Sequence, residues 1–272
     1  MSATLGYKDD DLTTFRRTTG ATDLSVIASL TKYLKEQGLW NSVRFFPFKS
    51  TQNYSSGTTI KGLGGWTAND ISLVGGPVIG ATGTTFDATD DRGTWNGTGI
   101  ETLSELYVFD RQKPTNASLA DTNRFGVLFF GSIGGTPKFW LDHGTTSLFS
   151  GETTAQGVTN GVTGNRNGTD DITWAAGGDT QIVSRYAQTG SGMWKSKTAA
   201  LMDKNAPTPG TIPDLRPSTA GWSTDSILRI NSVYDGSAHS GLISTTRISL
   251  LFCKTALTQS QRETITDYLD QF

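Results

Sequence analysis

Apolar residues recur along this chain at two spacings. Near both ends they fall on one face of a helix, and from Phe45 to Ala256 they come in short β-branched and aromatic runs separated by turn residues. The spacing predicts a helix over Asp23–Gln37, capped by Asp23, with Val26, Ile27, Leu30, Tyr33 and Leu34 on its apolar face and Gly38 just past its end. Leu39, Trp40 and Val43 follow at once, so this helix either docks on the domain or enters an oligomer interface. A second helix is predicted at the C-terminal end. Thr258 and Gln261 have capping-box spacing there, and Ile265, Tyr268, Leu269 and Phe272 share a face.

Between the helices, strands are predicted at Val43–Lys49, Asn69–Val74, Thr84–Phe86, Glu101–Asp110, Phe125–Gly131, Lys138–His143, Asp171–Trp174, Gln181–Tyr186, Gly192–Lys195, Ile227–Val233 and Arg247–Phe252. Gly64-Gly65, Gly75-Gly76-Pro77, Gly134-Gly135, Gly177-Gly178 and Asp235-Gly236 punctuate them. Residues 150–170 read as a long polar insertion, and the four prolines of Ala206–Pro217 as a rigid exposed loop. Many short strands without interleaved helical periods predict an all-β sandwich or barrel with helices only near the ends.

The division expected is an N-terminal arm and helix over residues 1–44, then a sandwich over 45–272. Residues 1–22 are polar, with Asp9–Asp11 followed by Arg16 and Arg17. So little apolar content makes self-ordering costly. The arm then either packs along its own domain or is held by a neighbouring subunit, and the second is expected. Leu5, Tyr7, Leu12 and Phe15 would supply the specific contacts of that attachment, with Arg16 and Arg17 adding charge.

Composition narrows the function classes. With 23 Lys and Arg against 25 Asp and Glu, the net charge of −2 offers no basic stripe for nucleic acid. Thirty-two glycines and only 18% charged residues favour turns and strands. The single Cys253 excludes a disulfide framework and, inside an apolar run, reads as a buried inert thiol. The first 20 residues hold no apolar stretch of signal-peptide type, and no window suits a membrane-inserted helix. Synthesis in a host cytoplasm without a signal peptide is expected, as is a Gly/Thr/Asn-rich surface facing outward, a pairing that a virion component reconciles.

A resemblance sharpens this. In Gly83–Trp95, GTTFDATDDRGTW, the residues Phe86, Asp87, Asp90 and Asp91 match a motif frequent in laminin G-like members of the concanavalin A-like jelly-roll group. Ala88 stands in place of its Gly, and Arg92-Gly93 in place of an aromatic-Val pair. The close from Leu242 to Leu269 resembles the end of the same domain: Gly-x-Ile, a strand, Ala256-Leu257, and a helix opening Leu-Thr. A helix ending in Gly38-Leu39-Trp40 ahead of the sandwich is similar to the lead-in of bacteriophage structural proteins built on this jelly roll. The resemblance implies a concanavalin A-like jelly-roll sandwich with an N-terminal and a C-terminal helix. It further implies a virion structural protein of capsid or tail decoration or adhesion type, partnered by other virion proteins and by copies of itself. A lectin-like module contacting a host-surface glycan is the alternative.

The chemistry-bearing residues are few. Asp87, Asp90 and Asp91, with Asn96 near, offer oxygen ligands to calcium, the one cofactor suggested. The plain alternative is that Asp87 and Asp90 make Asx-type bonds to turn amides. Glu101 and Glu105 resemble part of a jelly-roll glucanase motif, but Leu103 replaces its middle Asp. Residues i and i+4 of a regular strand also lie about 13 Å apart, beyond the separation of either glycosidase type. His143 and His239, the only histidines, lack a nucleophile elbow or a Cys partner. No catalytic residue is assigned, and a non-enzymatic protein is expected. Trp174, Trp194 and Trp222 flank polar loops and are the candidate glycan platforms, while Trp40, Trp66 and Trp140 lie in apolar strings and read as core.

Overall fold

The computed structural model describes residues 9–54, 57–66, 69–87, 89–96, 99, 103, 105–114, 125–130, 139–144, 152–156, 158–159, 162–163, 180–187, 192–196, 227–234, 239–240, 242 and 244–272. Its helices are α1 (Asp10–Thr19), α2 (Ser25–Glu36) and α3 (Gln259–Leu269), with one 3-10 turn at Trp40–Ser42. The strands up to the long central one are β1 (Val43–Pro47), β2 (Thr59–Ile60), β3 (Ile71–Val74), β4 (Val78–Gly80), β5 (Gly83–Phe86), β6 (Arg92–Trp95) and β7 (Glu105–Pro114). There follow β8 (Phe125–Phe130), β9 (Phe139–Gly144), β10 (Glu152–Gln156), β11 (Val158–Thr159), β12 (Val162–Thr163), β13 (Thr180–Ala187) and β14 (Gly192–Ser196). The last are β15 (Leu228–Ile230), β16 (Val233–Tyr234), β17 (His239–Ser240) and β18 (Thr245–Cys253). Among the described residues, helices occur only near the ends, and none is long and apolar enough to cross a membrane.

Two seven-stranded antiparallel sheets form the body. The first runs β14-β13-β7-β18-β5-β4, and β1 also pairs with β18. The nine residues of β18 take β7 along one edge; on the other, Thr245–Arg247 pair with β5 and Ser249–Cys253 with β1. A register shift between Arg247 and Ser249 marks the change of partner. The second sheet runs β10-β9-β8-β15-β6-β3-β2.

Strand alternation sorts side chains into two cores. Phe46, Phe86, Leu106, Val108, Leu250 and Phe252 of the first sheet meet Ile60, Ile71, Leu73, Trp95, Leu228 and Ile230 of the second. Trp95 is fully buried and meets Phe46, Phe252 and Trp66 at centroid distances of 5.1, 4.7 and 5.6 Å. The intervening residues Val43, Phe45, Tyr107, Phe109, Leu251 and Cys253 point the other way, under the helices. There they meet Phe15 of α1, Ile27, Leu30 and Leu34 of α2, and Ile265, Leu269 and Phe272 at the end of the chain. The molecule is thus three layers: helices, sheet, sheet.

Several expectations hold. The α3 capping box is present, and Ile265, Leu269 and Phe272 are buried while Tyr268 packs on Tyr33 at 5.6 Å. Helix α2 buries Ile27, Leu30 and Leu34 on its own sheet, and Gly38 takes a left-handed φ of 68° past its end. The expected Asp23 cap is displaced: the N-cap position is Leu24, without a side-chain cap bond, and Asp23 one residue earlier accepts from the Ser25 amide and hydroxyl. Cys253 is buried.

Others need correction. The N-terminal segment is not a flexible arm where it is described: residues 10–19 are helix α1. Asp9 caps it through the amides of Asp11 and Leu12, at 2.9 and 3.2 Å. The charge clusters of the expected arm place acids in the first turn and bases in the last, complementing the helix dipole. Residues 150–170 contain β10, β11 and β12 rather than an unbroken polar insertion, and β10 extends the second sheet against β9. The predicted strand Asp171–Trp174 and the loop Ala206–Pro217 lie outside the described residues.

Neighbouring positions of β7 show what polar residues need inside this body. Arg111 points to the helical side and donates to the backbone oxygens of Leu269 and Phe272 at 2.8 and 2.6 Å, closing the end of α3. Asp110 points between the sheets, fully buried, and accepts from fully buried Arg247 at 2.7 Å and from Gln112 at 3.1 Å. Thr245 then donates to Gln112 at 3.0 Å.

Truncation after Thr258 removes three buried apolar side chains worth roughly 1.5–3 kcal/mol each before ordering costs. The shortened chain is expected to be insoluble or partly unfolded, which solubility and thermal melting will show. A second expectation concerns the buried pair. Asp110→Leu removes the acceptor that Arg247 meets at 2.7 Å and should cost about 3–5 kcal/mol, whereas Asp110→Leu with Arg247→Met should recover most of that loss. Burial pushes the Asp110 carboxyl up to about 6, with Arg247 opposing. That lies above the ~3.9 of an unfolded Asp, so its contribution is greatest below about pH 4 and is lost as pH rises through about 6. Urea denaturation across that range should show the fall in the natural protein and not in the double variant.

Candidate functional site

The Asp-rich segment turns the chain from β5 in the first sheet to β6 in the second. Asp87 Oδ1 accepts from the amides of Thr89 and Asp90 at 2.8 and 3.2 Å, and Asp91 Oδ2 accepts from the Asp87 amide at 2.8 Å. The three carboxylates offer oxygens within 4.8 Å of one another. The Thr89 amide leads the bonds that hold Asp87 below the usual carboxylate range, while burial, with the charges of Asp87 and Asp90, pushes Asp91 up. Asp87 thus makes the turn bonds expected of it, and Asp91 rather than Asp90 is the second acceptor. Asn96, the further ligand suggested, is exposed at the end of β6.

A second constellation was not legible in the sequence. A groove of about 330 Å³ opens between α1 and the segment from Lys61 to Gly64. One wall is a single stripe of α1: Asp11, Thr14, Phe15 and Thr18, at i, i+3, i+4 and i+7. Lys61, Gly62, Leu63, Gly64 and Asp70 form the other, and Trp40 completes the lining.

Each wall is pinned. Leu63 and Phe45 exchange backbone bonds of 2.7 Å, tying the Lys61–Gly64 segment to β1. Gly64 has a φ of 132°, and a Cβ there would collide with the Val43 carbonyl, so only glycine fits. Asp70 Oδ1 accepts from Arg44 at 2.9 Å and from the Gly62 amide at 2.8 Å, and Oδ2 accepts from Lys61 at 2.9 Å. On the other side, Lys35 of α2 binds Asp9 at 2.8 Å and Asp11 at 2.6 Å, and lies 4.7 Å from the centre of the Trp40 ring. Burial works against the Asp9 charge, but Lys35 and the amides of Leu12 and Asp11 outweigh it and hold the carboxyl below its usual range. The same ion pairs outweigh burial at Lys35 and raise its pKa.

The predicted site residues fare unequally. Phe15 is 4% exposed in its own helical core and cannot reach a neighbouring subunit, and Leu12 packs against that core. Attachment through Phe15 is therefore excluded, because α1 buries it within the chain, while Leu12 is half-buried on the same face. Arg16 and Arg17 are exposed on α1, and Leu5 and Tyr7 lie outside the described residues. Trp174, Trp222 and Glu101 also lie outside them; Trp194 is in β14 and Glu105 opens β7, with no side-chain placement described. Trp66 is core as expected, whereas Trp40 is half-buried and lines the groove.

No family model matches the chain, and comparison with curated protein sequences gives no match. Solved structures do share its fold. Trypanosoma rangeli sialidase, solved in complex with sialic acid, superposes with a TM-score of 0.58 at 12% identity, over 91% of this chain and 39% of the sialidase. The receptor-binding domain of botulinum neurotoxin mosaic serotype C/D gives 0.56 at 8% identity, over 84% and 51%. A botulinum neurotoxin type C structure, whose cell entry depends on two ganglioside molecules, gives 0.53 at 9% identity, over 86% and 53%. The chain spans well under two thirds of each. At such identities the likeness establishes the fold alone: mostly antiparallel β, in two large sheets, with helices at both ends.

The expectation of a non-enzymatic protein is corrected by this comparison, since the same fold occurs in sialidases, which are enzymes. The sequence test was too narrow. It asked for a carboxylate pair across a scissile bond, and sialidases stand outside that scheme.

The ion pairs beside the groove generate a prediction with its own sign. Asp9→Ala removes both the α1 cap and a Lys35 partner and should cost about 1–2 kcal/mol at neutral pH. Because the folded Asp9 pKa is depressed, its contribution is present above the unfolded value of about 3.9 and lost as the pH falls below it. Denaturant titrations of the natural protein and the variant should therefore converge on acidification.

Proposed function

We propose that this chain is a glycan-binding, lectin-like module on a concanavalin A-like jelly roll, displayed at the surface of a bacteriophage particle. The packing of α1 onto its own chain is the observation that carries the reading. A segment folded into its own helical layer does not serve as a free tether, and it leaves a walled polar groove with an aromatic ring in it. The shared fold with a toxin whose cell entry depends on gangliosides supports the same direction by analogy. The virion setting rests on the resemblance of Gly38-Leu39-Trp40 and the Asp87–Asp91 segment to phage jelly rolls, with other virion proteins and copies of the chain as neighbours.

A glycan array probed with the labelled full chain tests the module. Binding to a defined set of sugars is expected, and an array with no signal above a denatured control overturns the reading. Mass spectrometry of virions purified from a producing lysate tests the setting, where absence of the chain would remove the particle from the proposal.

A further inference from the structure

The groove beside α1 has a composition that selects among ligands. Its ion pairs balance: Asp9 and Asp11 face Lys35, and Asp70 faces Arg44 and Lys61. Three carboxylates meet three cations, so every cation of the set is already engaged, and the lining itself presents two carboxylates, Asp11 and Asp70, to one cation. Lys61, the one cation among the lining residues, already binds Asp70 at 2.9 Å. An anionic sugar would meet Asp11 and Asp70 with no surplus cation to offset them, and like charges at short range repel. A wholly apolar ligand would strip water from the two carboxylates and from the Thr14 hydroxyl. A ligand with many hydroxyls and one apolar face matches both kinds of wall: acceptors on Asp11 and Asp70, donors on Lys61 and Thr14, and apolar surface on Trp40 and Leu63. At about 330 Å³ the space suits a sugar unit or two.

We infer that this groove is the glycan site and that it takes a neutral saccharide rather than a sialylated one. The inference rests on the glycan-binding reading above and adds the place and the charge class. Trp40 meets the CH face of the sugar, while the carboxylates, held in fixed orientation by Lys35, Arg44 and Lys61, take its hydroxyls.

Isothermal titration calorimetry of the full chain with lactose, maltotriose, chitotriose and 3′-sialyllactose tests it. Two variants are compared. Thr14→Trp fills the groove from an exposed helix position and leaves the core untouched, and Trp40→Ala removes the aromatic surface. Circular dichroism checks the fold of each. At least one neutral sugar should bind, both variants should weaken it by about tenfold or more, and 3′-sialyllactose should bind no better than lactose. Neutral-sugar binding that survives Thr14→Trp unchanged puts the site elsewhere and overturns the groove while leaving the glycan-binding reading intact. Tighter binding of 3′-sialyllactose, lost in Thr14→Trp, overturns the charge class alone. If no sugar binds in calorimetry or on the array, the glycan-binding reading fails and the groove assignment falls with it.

Discussion

The pairing of β7 with β18 carries the heaviest constraint in this molecule, because the sheet they centre is covered on both faces. A sheet with one wet face alternates apolar and polar residues; one buried on both sides must be nearly all apolar. The run Ile248 to Cys253 obeys this, with Leu250 and Phe252 serving the inter-sheet core and Leu251 and Cys253 the helical one. Larger polar groups admitted there have dedicated partners, while the small Ser249 hydroxyl is buried without a hydrogen bond among the described residues. Asp110 has Arg247, Gln112 has Thr245, and Arg111 reaches the last turn of α3.

The helical layer follows from the same constraint. Val43, Phe45, Tyr107 and Phe109 would be exposed if α1, α2 and α3 did not cover them. Helix α3 has the strongest local signals, a capping box and an apolar face, and is held further by Arg111. Helix α1 is weak by comparison, mostly polar, and depends on Phe15 and on the pairing of Asp9 and Asp11 with Lys35. The groove exists only while α1 stays docked, so charge pairs of modest individual worth decide whether the candidate site is formed at all.

Shared architecture does not settle chemistry. The fold recurs in Trypanosoma rangeli sialidase and in botulinum neurotoxin domains at 8–12% identity, so its demands on sequence are patterns of burial rather than particular residues. Function must sit in what is grafted on the frame. Here the grafted parts within reach are the Asp87–Asp91 turn, whose carboxylates hold the backbone, and the groove beside α1, whose ion pairs hold one another.

By itself the sequence determined the helices over α2 and α3, the positions of most long strands and the crowding of Cys253, because these depend on local period, caps and turn residues. It was silent on short strands such as β2, β4 and β6, which are too brief to show a period and exist through their partners. It misread α1, since ten residues with only Leu12 and Phe15 apolar look like a tail until Phe15 finds a core and Lys35 brings a charge from α2. It placed Trp40 in the core, because an apolar string does not reveal which ring stands at the layer's edge. The groove was beyond the sequence altogether. Asp11, Trp40, Lys61 and Asp70 come from four separate segments, and only the docking of α1 against the Leu63–Phe45 bridge brings them together.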